Sequence, residues 1–87
     1  MNLRQLLSKL RWDPREDFAE TTIRYLDRTK DDRGKTVPRI ASFKGKEVLD
    51  VTGGYMTTRR DGELSDIPLH RVREVVLPSG KVVWKRG

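Results

Sequence analysis

Eighty-seven residues with no cysteine, one histidine and 34% hydrophobic content suffice for one small domain on a thin core, and they exclude both disulfides and a Cys/His zinc site. Lys and Arg number 19 against 13 acids, a formal charge of +6 with a pI near 10.1, so polyanions such as RNA, DNA or anionic lipid are the natural partners. No apolar run approaches the roughly 20 residues of a membrane helix, and the opening MNLRQLLSKLRW has no secretory core, so no membrane contact and a cytoplasmic setting are expected.

The first element is a helix. Leu3, Leu6, Leu7 and Leu10 recur at i, i+3, i+4 and i+7, which puts them on one core-facing stripe. Asn2 can cap this helix, with Gln5 as its capping-box partner. Pro14 disfavours helical geometry at Asp13, so the helix should end near Arg11 or Trp12. Trp12 follows the leucine stripe and is expected to pack under the helix. Asp13 to Asp17 reads as a polar turn, with Phe18 anchoring the chain after it.

Strands follow. Thr21 to Arg28 alternates, with Ile23 and Tyr25 on one face and Thr22, Arg24 and Leu26 on the other. Thr29 to Thr36 has no apolar residue and reads as a mobile loop. Val37 to Phe43 is a weak strand whose Pro38 suits an edge or a strand start. After the Lys44-Gly45-Lys46 turn, Glu47 to Thr52 is a short strand broken by Gly53-Gly54. Tyr55 to Arg60 and Ile67 to His70 read as strands around Asp61-Gly62, with Glu63 to Asp66 lengthening the connection. Val72 to Leu77 and Lys81 to Arg86 form a hairpin across Pro78-Ser79-Gly80, with Val82 and Trp84 on one core face. One helix followed by strands implies a single α+β domain over residues 1–87, the helix packed on a curled, mainly antiparallel small β-sheet or partial barrel.

Four patches set cations beside aromatics, acids or the histidine: Arg11-Trp12-Asp13-Pro14, Asp27-Arg28, Ile67-Pro68-Leu69-His70-Arg71 and Val83-Trp84-Lys85-Arg86. Twelve of the 19 cations are arginine, whose planar fork suits phosphate and base contacts. Arg28 and Arg71 can act as forks on a phosphate, His70 as a donor, and Asp27 can orient one of them. Trp12 or Trp84 can stack on a base. A phosphoesterase or nuclease reading would use His70 as general acid or base, with Asp27 orienting it and Arg71 stabilising phosphorane charge. It lacks a second histidine and clustered carboxylates, so a self-sufficient enzyme is not expected. A basic domain docking an acidic protein partner is the third reading. No metal or cofactor is implied.

RWDP, the Asp-Arg ending the first strand, IPLHRV and the closing VVWKR resemble the RNA cyclic-group end-recognition domain family. Its members are small archaeal proteins, and the domain also occurs in larger eukaryotic proteins linked to RNA processing or repair. The resemblance runs from the leucine helix to Arg86. By position, Trp12, Asp13 and Pro14 match the first motif, Asp27 and Arg28 the second, Pro68, His70 and Arg71 the third, and Trp84 with Arg86 the last. Lys85 departs from the acid often found there, and the stretch from Thr29 to Gly54 matches poorly. The resemblance implies RNA as partner, recognition of ends bearing a cyclic phosphate, Arg28, His70, Arg71, Arg86, Trp12 and Asp27 as RNA-contacting residues, and RNA-processing or repair proteins nearby.

Overall fold

Helix α1 (Leu3–Trp12) starts on the Asn2–Gln5 capping box. In the computed structural model, which describes residues 2–15 and 17–86, the Gln5 amide donates to Asn2 Oδ1 at 2.8 Å and the Asn2 amide to Gln5 Oε1 at 3.1 Å. Leu3, Leu7 and Leu10 are buried, and Leu6 packs half-buried beside them. Asp13 is extended, as a residue before proline should be. Trp12 is not under the helix. It stands two residues past Leu10, about 200° around the helical wheel, and is 77% exposed. The polar turn expected from 13 to 17 includes residue 16, which lies outside the described residues.

The described residues form seven strands: β1 (Thr22–Lys30), β2 (Thr36–Lys44), β3 (Val48–Thr52), β4 (Tyr55–Arg60), β5 (Glu63–Pro68), β6 (Val72–Val76) and β7 (Val82–Lys85). A four-stranded sheet has the order β2-β1-β6-β7, a three-stranded sheet the order β3-β4-β5, and every neighbouring pair is antiparallel. Three 3₁₀ turns link the elements: η1 (Phe18–Glu20), η2 (Gly45–Glu47) and η3 (Leu69–Arg71). The chain leaves the larger sheet at η2, makes the β3-β4-β5 meander and returns at η3. This is the α+β arrangement, with two open sheets rather than a closed barrel.

Strand alternation builds the core. Phe43, Ile23, Val75 and Trp84 are register partners across β2, β1, β6 and β7, and all four belong to the core or pack against it. Met56 of β4, Ile67 of β5 and Val48 of β3 meet them from the smaller sheet, and Tyr25 and Phe43 lie 5.5 Å apart, ring centroid to ring centroid. Leu7, Ile23, Met56, Val72 and Val75 are fully buried, each contributing about 1.5–3 kcal/mol of hydrophobic stabilisation. η1 and η2 touch so closely that Gly45 cannot carry a side chain. The Gly45 amide donates to the Thr21 carbonyl at 2.8 Å, and a Cβ there would overlap the Phe18 carbonyl oxygen.

Four further expectations are corrected. The loop of residues 29–36 shrinks to 31–35, because β1 and β2 pair out to Lys30↔Thr36. Asp31 Oδ1 closes it by accepting from the Arg33 and Lys35 amides, both at 2.9 Å. Glu63 to Asp66 is strand, since Asp61 (φ 52°) and Gly62 (φ 82°) alone make the hairpin turn. Leu69-His70 belongs to η3 rather than to a strand. Val82 and Trp84 lie on opposite faces, because a bulge pairs Val76 with Val82 but Val75 with Trp84.

Candidate nucleic-acid interface

β1 outruns its inner neighbour. It pairs with β6 only from Thr22↔Val76 to Tyr25↔Val72, yet with β2 along its whole length. Residues 26–30 and 36–40 therefore project as a two-stranded arm. η3 packs against β1 where the β6 ladder stops. It carries His70, exposed, and Arg71, half-buried.

η3 is held from two sides. The Leu69 amide donates to the Gly54 carbonyl of the β3–β4 turn at 2.8 Å. From the other side Arg86 Nε donates to the Val72 carbonyl at 3.1 Å and Nη2 to the Leu69 carbonyl at 3.4 Å. The Arg86 amide also donates to the carbonyl of Arg73, the extra residue in the β1–β6 bulge, at 2.9 Å. Its guanidinium carbon lies 5.0 Å from the centroid of the half-buried Trp84 ring. Two donor atoms of Arg86 thus serve the backbone of η3, and Trp84 has a packing role as expected.

Asp27 and Arg28 are adjacent in sequence but sit on opposite faces of β1. Asp27 shares the Tyr25 face and stands across from Arg39, while Arg28 is exposed on the Leu26 face across from Pro38. The hydrogen bond between them uses the Arg28 backbone rather than its guanidinium: the Arg28 amide donates to Asp27 Oδ1 at 2.8 Å. Asp27 lines a cleft of about 420 Å³ with Tyr25, Thr29, Arg39 and Arg60. Sequence reasoning took no residue from β2 into a site, since only the strand register reveals which cations share a face.

Trp12 stands apart from η3. The last turn of α1 lies beside the turn of the β6–β7 hairpin, where Leu10 and Asp13 share a cleft with Leu77, Lys81 and Val83. η3 is at the other end of β6, roughly 17 Å away at about 3.4 Å per residue. Around Trp12 runs a shallow depression of about 810 Å³ that includes Arg4, Lys9, Pro14 and Arg15. The Arg11 guanidinium lies 5.9 Å from the Trp12 ring centroid, donates to the Leu49 carbonyl at 3.1 Å and faces Asp50 at 3.8 Å. Side-chain and backbone hydrogen bonds from Arg15 hold the Asp13 carboxyl below its ordinary range. The Thr52 hydroxyl, the Val51 amide and Arg11 do the same for Asp50. Among the described residues no three His, Asp or Glu side chains gather as a metal centre, and no helix is long and apolar enough to cross a membrane.

One helix on two open antiparallel sheets, with arginines and a histidine around a pinned turn, defines a small basic α+β domain. The chain belongs to the MJ1316 RNA cyclic group end recognition domain family, whose model matches residues 1–86. It is 32% identical over 84 residues to a UPF0248 protein of Thermococcus onnurineus (strain NA1), spanning 97% of this chain and 84% of that protein. A UPF0248 protein of Thermococcus gammatolerans (strain DSM 15229 / JCM 11827 / EJ3) is 33% identical over 85 residues, spanning 98% and 89%. No solved structure matches the chain.

Proposed function

We propose that this domain is a binding module for RNA and that it recognises ends carrying a 2′,3′-cyclic phosphate. The observation that carries this reading is membership, over residues 1–86, of a family described by RNA cyclic group end recognition. The charge of +6 supports it, because a basic surface attracts a phosphodiester chain. Arg71 and His70 on η3, with Arg28 on the neighbouring arm, supply forks and a donor suited to a singly charged cyclic phosphate. Arg86 acts there mainly by holding η3, and Trp12 offers a base platform farther along the strand. The site works in the cytoplasm beside RNA-processing or repair proteins.

The test is fluorescence anisotropy on one short RNA with a 2′,3′-cyclic phosphate, a 3′-phosphate or a 3′-hydroxyl end, each at two salt concentrations. The cyclic form binds tightest, and Arg71→Ala removes that preference. Equal affinity for all three ends refutes end recognition and leaves a general RNA-binding domain. Affinity indifferent to salt and end alike refutes RNA binding through phosphates.

A further inference from the structure

Strand register divides the larger sheet into two unlike faces. The inner face holds Phe43, Ile23, Val75 and Trp84 and continues through Tyr25 into the core. The outer face follows from the same pairing. Lys44, Thr22, Val76 and Val82 form one row, and Ser42, Arg24, Glu74 and Lys85 the next. Out along the arm come the pairs Ile40 with Leu26, Pro38 with Arg28 and Thr36 with Lys30.

This outer face is open to solvent. Lys44, Arg24, Lys85, Arg28 and Lys30 are all exposed, as are Ile40 (55%) and Val82 (46%). Glu74 is the one acid in these rows, and Arg24 Nη1 pairs with it at 3.0 Å. Lys85 stands across from that same Glu74, whereas Arg28, Lys30 and Lys44 have no acid beside them in the rows. By contrast, the cleft on the inner side of the arm sets Arg39 and Arg60 against Asp27, and Glu47 faces Arg60 at 3.7 Å, so its charges nearly cancel.

We propose that the outer face of the four-stranded sheet is the track for the RNA chain leading to the end site, holding its phosphodiester backbone on Lys85, Arg28 and Lys30. This rests on the RNA reading above and adds a surface to it. Same-face residues on a strand stand about 7 Å apart and neighbouring strands about 5 Å, so the cations are spread as a two-dimensional array rather than a pocket. Such an array suits a polyanion better than a single small anion. Leu26, Ile40 and Val82 give riboses and bases an apolar floor. The rows contain no aromatic ring, so this track reads no base by stacking and binds with little sequence preference.

The test uses the full chain and labelled RNAs with the same 2′,3′-cyclic end, two and ten nucleotides long, followed by anisotropy across salt. The longer RNA binds the wild type more tightly and with a steeper salt slope. Lys30→Gln/Lys85→Gln weakens the ten-nucleotide RNA about tenfold and lowers its log–log slope by about 1.4, at about 0.7 per phosphate released. The two-nucleotide RNA is unaffected. Lys46→Gln/Lys81→Gln removes the same charge from outside these rows and leaves both affinities unchanged. Equal losses in the two double variants reduce the effect to net charge and overturn the track. No loss in Lys30→Gln/Lys85→Gln overturns the track while end recognition stands. A wild type that binds neither RNA overturns both readings.

Discussion

Arg86→Ala probes the turn on which the proposed end site depends. The substitution removes the Nε bond to the Val72 carbonyl at 3.1 Å, the longer Nη2 contact to Leu69 at 3.4 Å and the guanidinium over Trp84. A hydrogen bond from a charged donor contributes about 1.5–3 kcal/mol, and an exposed cation–π pair about 0.5–1 kcal/mol. Arg86 is itself exposed, so water recovers part of this, and a net loss of about 1.5–2.5 kcal/mol is expected after that discount. For a domain of this size each kcal/mol lowers Tm by about 4–8 °C, so Tm falls by about 6–20 °C. Urea and thermal unfolding measure the loss. Arg86→Lys keeps the charge without the fork and recovers less than half of it. Amide hydrogen exchange locates the effect: the Leu69 and Val72 amides, bonded to Gly54 and Leu69 carbonyls, lose protection before Met56 of β4 does. A stability change under about 0.5 kcal/mol, the range of ordinary surface substitutions, or unchanged exchange at Leu69 and Val72, refutes the clamp.

Gly45→Ala forces a Cβ into the Phe18 carbonyl and within 2.9 Å of the Phe18 ring, and a loss of about 3 kcal/mol or more in urea unfolding is expected because backbone rather than a flexible side chain must move. Leu7→Ala, at a fully buried position, costs about 2–5 kcal/mol, whereas Trp12→Ala, at one 77% exposed, stays within about 0.5 kcal/mol; the reverse order would put Trp12 in the core. The Asp13 carboxyl is held below its ordinary value of 3.8 by Arg15, so the pair's stabilisation is present above that value and is lost as pH falls through the lowered folded-state value. Asp13→Asn therefore destabilises the protein slightly at pH 7 and flattens the acid limb of its stability curve. A wild type and variant with parallel limbs between pH 5 and 2 would rule this out.

Where local pattern and tertiary packing agree, the sequence was readable. The Asn2–Gln5 box, the leucine stripe and the Ile23/Tyr25 alternation all encode burial directly, and each stands in the fold as expected. Strands without an apolar period were hidden. Glu63 to Asp66 is exposed at every position, so its backbone pairing with β4 leaves no mark on side-chain hydropathy. Trp12 misled because an aromatic beside an apolar stripe resembles core until its angle around the helix is counted. The motifs drew attention to η3 and β1, which the fold brings side by side. They did not disclose that Asp27 and Arg28 diverge across the strand, or that Arg86 serves the backbone. The sharing of one outer face was invisible for another reason: Lys85, Arg24 and Ser42 fall in a row only once β7, β6, β1 and β2 are in register.

The meander inserted between η2 and η3 has a kinetic consequence. Its two hairpins, like β1–β2 and β6–β7, join strands close in sequence and can form early. The β1–β6 ladder instead joins distant residues such as Arg24 and Glu74, separated by 50 positions. Closing a loop of that length carries the largest entropy loss among the strand ladders and is unrewarded until the ladder forms. The larger sheet is thus completed last, and η3, which starts β6, is ordered in that same late step. Refolding of this domain should be limited by the seam between its first and sixth strands.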